Sequence, residues 1–369
     1  MSTKANSVDA FEVIKSGLLT TVQDLGRIGY QRYGVPTSGA MDQTALRTAN
    51  LLLDNEEGFA GLEATAEGPT LRAFADLTVA IVGADMQPLV DGKPVERGTV
   101  IGIRSGQILE FQRARRGLRA YLAIAGGIDV PVILGSRSTC LPAAFGGVQG
   151  RALREGDCLP INPVGRRPMA LSGRRLPSGW VEPISEVLTV RVVLGLQEDR
   201  FTPEGIHTFL SGSYRLTPQM DRMGARLQGP PITHRSGADI ISDSIPLGAV
   251  QVPSDGQPMI LLADRQTTGG YAKIAVVVQE DIFRLGQTTP GQVIRFRQIS
   301  APETCAALRA YEGRFDALRQ GWQGLPEARG SYRLSLGAES YRVDVGGGRG
   351  TYRVSLEGVE RKSEDAEEQ

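Results

Sequence analysis

RIGYQRYGVP, residues 27–36, and RMGARLQGPP, residues 222–231, share one frame: Arg27-x-Gly29-x4-Gly34-x-Pro36 is matched by Arg222-x-Gly224-x4-Gly229-x-Pro231. A second echo follows each in the same order. Gly106-Gln107-Ile108-Leu109-x-Phe111 returns as Gly291-Gln292-Val293-Ile294-x-Phe296. Either echo alone is weak; two in order point to a duplicated module. From Thr70 to Ile161 the chain runs through short apolar stretches around Leu77, Val79 and Ile81, then 98–103, 108–111 and 118–123, broken by turns such as Asp91-Gly92. Strands at this spacing predict a barrel or sandwich. The second half repeats the pattern at 188–194, 259–263 and 274–278.

The expected fold class is therefore mainly β with short helices (α+β), built as two related β modules. The first covers 10–165. A linker rich in Pro, Gly and Arg covers 166–184. The second module, with a C-terminal helix, covers 185–325. A small β tail follows over 326–360, where Tyr332-Arg333-Leu334, Tyr341-Arg342-Val343 and Tyr352-Arg353-Val354 repeat, with Gly346–Gly350 read as a turn. Residues 361–369 are charged and expected to be disordered. Helix starts are legible. Asp42 caps an apolar face of Ala45, Leu46, Ala49, Leu52 and Leu53, and Thr202-Pro203 opens a short helix. Ser300-x-x-Glu303 is a capping box before a stripe of Leu308, Tyr311, Phe315, Leu318 and Trp322, expected to pack on the second module.

Chemistry concentrates in Asp264-Arg265-Gln266-Thr267-Thr268-Gly269-Gly270-Tyr271-Ala272-Lys273, read as a polar loop between two buried strands. Loops on a rigid scaffold carry function disproportionately. Lys273 stands out because the chain has five lysines among 41 basic residues; it is placed to pair with Asp264 or to bind an anion. In the first half Asp24 and Arg27, three apart among glycines, form either a loop-stabilising ion pair or a carboxylate-binding guanidinium.

Composition excludes several classes. The 41 basic and 41 acidic residues balance, which removes an electrostatic case for nucleic acid or anionic membrane. No apolar run is long enough to span a bilayer and no apolar leader is present, so a cytoplasmic protein is expected. Cys140, Cys158 and Cys305 are widely spaced and read as buried small apolar residues. Two histidines leave little material for a His-centred triad or zinc site, and no metal is expected. There is no Gly-x4-Gly-Lys-Ser/Thr, no dinucleotide fingerprint and no Gly-x-Ser-x-Gly elbow. What remains is carboxylate, guanidinium, amide and hydroxyl groups in Gly-rich segments, a set suited to a small carboxylate, amide or urea-like ligand.

TTVQDLGRIGYQRYGVPTSGAMD (20–42), YLAIAGGIDVP (121–131), DRMGARLQGP (221–230) and DGQPMILLADRQTTGGYAKIA (255–275) resemble the biotin-dependent carboxyltransferase family. Its members include allophanate hydrolase subunit 2, KipA and the C-type component of bacterial 5-oxoprolinase. The resemblance implies two cyclophilin-like β-barrel modules. It implies a role as the C-type component of an ATP-dependent hydrolase opening 5-oxo-L-proline to L-glutamate, with an A-type subunit and a B-type subunit similar to KipI or allophanate hydrolase subunit 1. ATP would be shared with or bound by those partners. The alternatives it implies are a KipA-like regulator of a KipI-like kinase inhibitor, and a urea or amide carboxyltransferase component. It also implies a site of Asp24, Arg27, Asp264 and Lys273 as catalytic groups, with Gln23, Asp42, Arg222, Gln266, Thr267, Thr268 and Tyr271 binding substrate. Arg27 or Arg222 would hold a substrate carboxylate. Asp221 stands where the family usually has Asn and Ala272 where it usually has Pro. No Ala-Met-Lys-Met occurs, so no biotin attaches to this chain.

Overall fold

The computed structural model describes residues 7–162, 171, 174–181, 185–195 and 197–322, with the backbone of three strands at 330–336, 339–346 and 353–358. The first half holds two antiparallel sheets. One has six strands and is centred on Val8–Lys15, Thr70–Ala73 and Ile108–Glu110; the other has five, centred on Gly61–Thr65, Arg116–Ile124 and Leu77–Asp85. Phe11, Val13, Leu71 and Leu109 of the first sheet share one buried cluster with Leu62, Val79, Ile81 and Leu122 of the second. The five-stranded sheet is covered on its other face too. Helix α1 (Gln43–Leu52) sets Leu46, Ala49 and Leu52 against Ala80, Val82, Tyr121 and Ala123. That is why Leu77–Asp85 reads as a nearly continuous apolar run rather than an alternation.

The second half closes into a seven-stranded barrel. Val187–Leu194 and Val293–Gln298 meet as its one parallel pair and the other neighbours run antiparallel. Valine, isoleucine and phenylalanine at alternate positions fill the interior, with Val190, Val192, Ile274, Ile294 and Phe296 buried together. Helix α2 (Pro203–Ser211) starts at Thr202, whose hydroxyl accepts from Gly205 N, and α3 (Gln279–Leu285) follows the strand Lys273–Val277. Both halves are thus β modules, as the echoes suggest.

The first echo nevertheless lies on different backbone in the two halves. Gly29 and Gly34 take positive φ (99° and 81°) in an exposed turn, whereas Gly224–Gln228 is a barrel strand. Three other expectations are corrected. Residues 264–273 are not simply a loop, because Thr268–Tyr271 pairs with Asp239–Ser244 as a two-stranded arm beside the barrel. Helix α4 (Ala301–Trp322) opens on the capping box, but its buried Tyr311, Phe315 and Leu318 pack against both Leu51 of α1 and Phe283 of α3, so it bridges the halves. Leu308 continues that stripe by spacing, yet it is exposed. Of the thiols only Cys140 is buried; Cys158 and Cys305 sit at exposed positions on a strand and on α4. The repeated tail forms a three-stranded antiparallel sheet in register Tyr332↔Val343 and Val343↔Leu356. The glycine turn beyond Gly346 and the charged terminus from 361 lie outside the described residues, as does most of the linker.

Candidate functional site

The two halves are joined by buried charge. Glu63, in a first-half strand and 1% exposed, accepts from Met41 N (2.8 Å) and from the Tyr121 hydroxyl (2.7 Å), and pairs with Arg222 of the second half. Arg222 donates from Nε to Asp264 (2.8 Å) and from Nη2 to the Gly39 carbonyl (2.6 Å). Arg119 completes the group, 3.7 Å from Glu63 and donating to the Gly286 carbonyl at 2.6 Å. Burial alone would raise the Glu63 carboxyl, but Arg222 and Arg119 beside it hold it below the ordinary carboxylate value. Burial works equally against Arg222, and the charges of Glu63 and Asp264 outweigh it. This answers what Arg222 and Asp264 do. They are bonded to each other and to Glu63 across the junction, so Arg222 has no free fork for a substrate carboxylate and Asp264 is not the partner of Lys273.

Asp42 belongs to the same seam. One carboxylate oxygen caps α1 by accepting from Ala45 N (3.0 Å), and the other accepts from Gln287 Nε2 (2.8 Å), which follows α3. Burial raises it to about 6, opposed by those hydrogen bonds.

Gln23, Asp24 and Arg27 form a second buried cluster, sealed by residues 136–145. The Asp24 carboxylate accepts from Gly26 N (2.8 Å), Arg137 N (2.6 Å) and the hydroxyls of Ser136 (2.7 Å) and Ser138 (2.5 Å). It is therefore an anchor for the turn and makes no ion pair with Arg27, contrary to the spacing. Arg27 is 1% exposed, donates from Nη2 to the Ser138 carbonyl (2.5 Å) and lies 4.6 Å from the Phe145 ring centre. Among the described residues its Nε and Nη1 have no acceptor, nor has the Gln23 Oε1 a donor. Burial lowers Arg27, with the charges of Cys140, Asp24 and Asp264 opposing. Neither Asp24 nor Arg27 lines either cavity of the groove described next.

An open concave surface lies elsewhere on the junction. Two adjoining cavities, of about 770 and 330 Å³, share Gln31, Arg265 and Val276 in their walls. Arg265 is 6% exposed; its Nε donates to the Ile245 carbonyl (3.0 Å) and Nη1 to the Thr37 hydroxyl of the first half (3.1 Å). Burial lowers it to about 10, so it stays protonated at neutral pH. Lys273 and Thr267 line the smaller cavity with it. Lys273, at the start of the barrel strand Lys273–Val277, donates to Asp243 of the arm at 3.2 Å, a pairing that its sequence position does not announce. The Asp243 carboxyl is lowered by the Ser244 N–H and then by Lys273. Gln266, Thr268 and Tyr271 are arrayed around the arm and line neither cavity.

The structure thus gathers Thr267 and Lys273, separately Arg222 with Asp264, and separately Gln23, Asp24 and Arg27. Sequence reasoning missed Glu63, Arg119, Asp243, Gln287 and the role of Arg265. A signal existed for two of them: Glu63 and Arg119 are charges inside apolar strands, and a buried charge requires a partner. Among the described residues no group of three or more His, Cys, Asp or Glu gathers as a metal site. Nor is any described helix long and apolar enough to cross a membrane.

Comparison with known proteins agrees with this architecture. The C-type component of Escherichia coli 5-oxoprolinase is 37% identical over 307 residues, covering 83% of this chain and 97% of that one. The Saccharomyces cerevisiae urea amidolyase is 33% identical over 79% of this chain, which spans only 17% of that protein. The crystal structure of Kluyveromyces lactis urea carboxylase matches with a TM-score of 0.79 at 29% identity, over 94% of this chain and 33% of that one. The model of the carboxyltransferase domain, subdomains A and B, matches residues 33–298, and the chain belongs to that family.

Proposed function

We propose that this chain is the C-type component of a 5-oxoprolinase-type hydrolase, acting with A- and B-type subunits in the cytoplasm to convert 5-oxo-L-proline to L-glutamate. The observation that carries this reading is the near end-to-end match to the Escherichia coli C-type component, 97% of whose length is aligned. The junction groove supports it chemically. A cavity of about 330 Å³ with Arg265, Lys273 and Thr267 in its wall suits a small acid that also carries an amide. Lys273, steered by Asp243, is the group placed to stabilise negative charge developing on a lactam carbonyl.

ATP does not fit the residues of this groove. Its one unpaired guanidinium and an already paired lysine do not make a triphosphate cradle, and no Gly-Lys-Ser/Thr loop exists in the sequence. We therefore assign ATP to the partner subunits and derive no step through it. The test is co-expression with the A- and B-type subunits, each omitted in turn, followed by assay of ATP-dependent glutamate formation. The reading requires that glutamate vanish when this chain is left out. A stable assembly of all three that forms no glutamate from 5-oxo-L-proline overturns it.

A further inference from the structure

We propose that Arg265 is the receptor for a small carboxylate at the meeting of the two junction cavities and, resting on the 5-oxoprolinase reading, that it binds the carboxylate of 5-oxo-L-proline. Four buried guanidinium groups lie along the junction and they differ in what they lack; Arg119 is turned to Glu63 and the Gly286 carbonyl and lines neither cavity. Arg222 is saturated by Glu63, Asp264 and Gly39 O. Arg27 has free N–H groups but is sealed beneath Phe145. Arg265 alone of the four combines an unmet charge with an open wall.

Its bonding can be counted. Of five N–H groups, Nε serves the Ile245 carbonyl, while Nη1 serves the Thr37 hydroxyl and, at 3.3 Å, the Leu262 carbonyl. The acceptors are two carbonyls and one hydroxyl, with no carboxylate among the described residues. Among the described residues neither N–H group of Nη2 has an acceptor, and Arg265 lines both cavities. Within the smaller cavity Arg265 and Lys273 face one carboxylate, Asp243, which Lys273 already engages. One positive charge is left over, and it is the guanidinium.

Position adds to charge. Thr37 comes from the first half and Ile245 and Leu262 from the second, so the guanidinium is fixed only when the halves are docked. A group held from both sides needs little reorganisation to receive a ligand. A carboxylate on Nη2 would lie where the two cavities meet, with Lys273 in the wall of the smaller one. The placement predicts specificity: the site distinguishes an acid from its decarboxylated analogue.

The probe pair is 5-oxo-L-proline and 2-pyrrolidinone, the same lactam without the carboxylate. Isothermal titration of both into the complete complex, and KM and kcat for the acid, are compared for wild type, Arg265→Met and Arg265→Lys. We expect wild type to favour the acid by at least about tenfold. Arg265→Met should weaken acid binding on the order of 10- to 100-fold, the effect of removing a charge-assisted hydrogen bond, and leave 2-pyrrolidinone nearly unchanged. Arg265→Lys should restore part of the preference. If Arg265→Met does not fold, Thr37→Val, which releases Nη1, reads the same loss in milder form.

Equal wild-type affinity for the two lactams, binding of neither, or a preference that survives Arg265→Met overturns the proposal. The two readings separate cleanly. Glutamate formation with an unchanged KM in Arg265→Met leaves the hydrolase reading standing and removes the carboxylate site. An acid preference that disappears in Arg265→Met, without any glutamate formation by wild type, does the reverse.

Discussion

Replacing Glu63 by glutamine tests whether buried charge holds the two halves together. The side chain is 1% exposed, accepts from Met41 N and the Tyr121 hydroxyl, and neutralises Arg222 with Arg119 close by. Glutamine preserves the volume and one acceptor oxygen, which can retain the Met41 and Tyr121 bonds. Its amide NH₂, however, turns a donor toward the Arg222 donors. Two buried guanidinium groups are then left with Asp264 as the nearest full counter-charge. Removing one partner of a buried pair costs about 3–5 kcal/mol, and because Arg222 keeps Asp264 we take the lower end, about 3 kcal/mol. In a module of this size that corresponds to a fall in Tm of roughly 6–12 °C.

The assay is differential scanning calorimetry beside urea unfolding, with Glu12→Gln as control. Glu12 pairs with Arg72 on the surface, where such a pair is worth less than about 1 kcal/mol. Because the network crosses between halves, Glu63→Gln should also broaden or split the calorimetric transition. Combining it with Arg222→Met should recover part of the loss, since the variant then buries fewer unmatched charges. A Glu63→Gln variant no less stable than the Glu12→Gln control, melting in an unaltered single transition, would refute the reasoning.

Asp42 gives a pH test. Its ordinary value of 3.8 is raised to about 6 by burial, so the folded protein holds a proton that the unfolded chain has released between those values. The stability this contributes is fully present below about pH 4 and is lost as pH rises through about 6. Asp42→Asn, which keeps a capping side chain, should therefore lose less stability than wild type between pH 4 and 7; parallel curves would show that Asp42 is not the group responsible. Lys273→Met keeps the buried stem and removes the ammonium. Since Asp243 is half exposed, unfolding should change by less than about 1 kcal/mol, while glutamate formation by the complex should collapse. Full activity would remove Lys273 from the site. Phe315→Ala empties a position that touches Tyr311 and Trp180 edge-on and lies under Arg47, and should cost about 3–5 kcal/mol in urea unfolding. A loss below about 1 kcal/mol would mean that α4 is dispensable for docking the halves.

What could be read from the chain follows the range of the interactions concerned. Local devices were legible. The Asp42, Thr202 and Ser300 caps act within three or four residues, and the apolar runs report burial of a strand whatever lies opposite. The echoes reported two β modules, yet not their local equivalence, since a Gly-x4-Gly frame satisfies both a positive-φ turn and a barrel strand. The site was less legible because each of its charges has a plausible partner nearby in sequence and its real one far away. Asp24 with Arg27, and Asp264 with Lys273, are plausible by spacing, but backbone N–H groups and hydroxyls from 136–138 claim Asp24, and Asp243 claims Lys273. Arg222 and Glu63 meet across 159 positions, a distance no motif encodes. The sequence does show that Glu63 and Arg119 are charges set in apolar strands, and physics then demands that they be matched. Once Glu63 and Asp264 are committed to Arg222, Arg265 next door has no acid left to take. An adjacent Asp-Arg pair, which spacing alone would read as self-satisfied, thereby yields one structural anion and one free cation, and the free cation is the one that faces the groove.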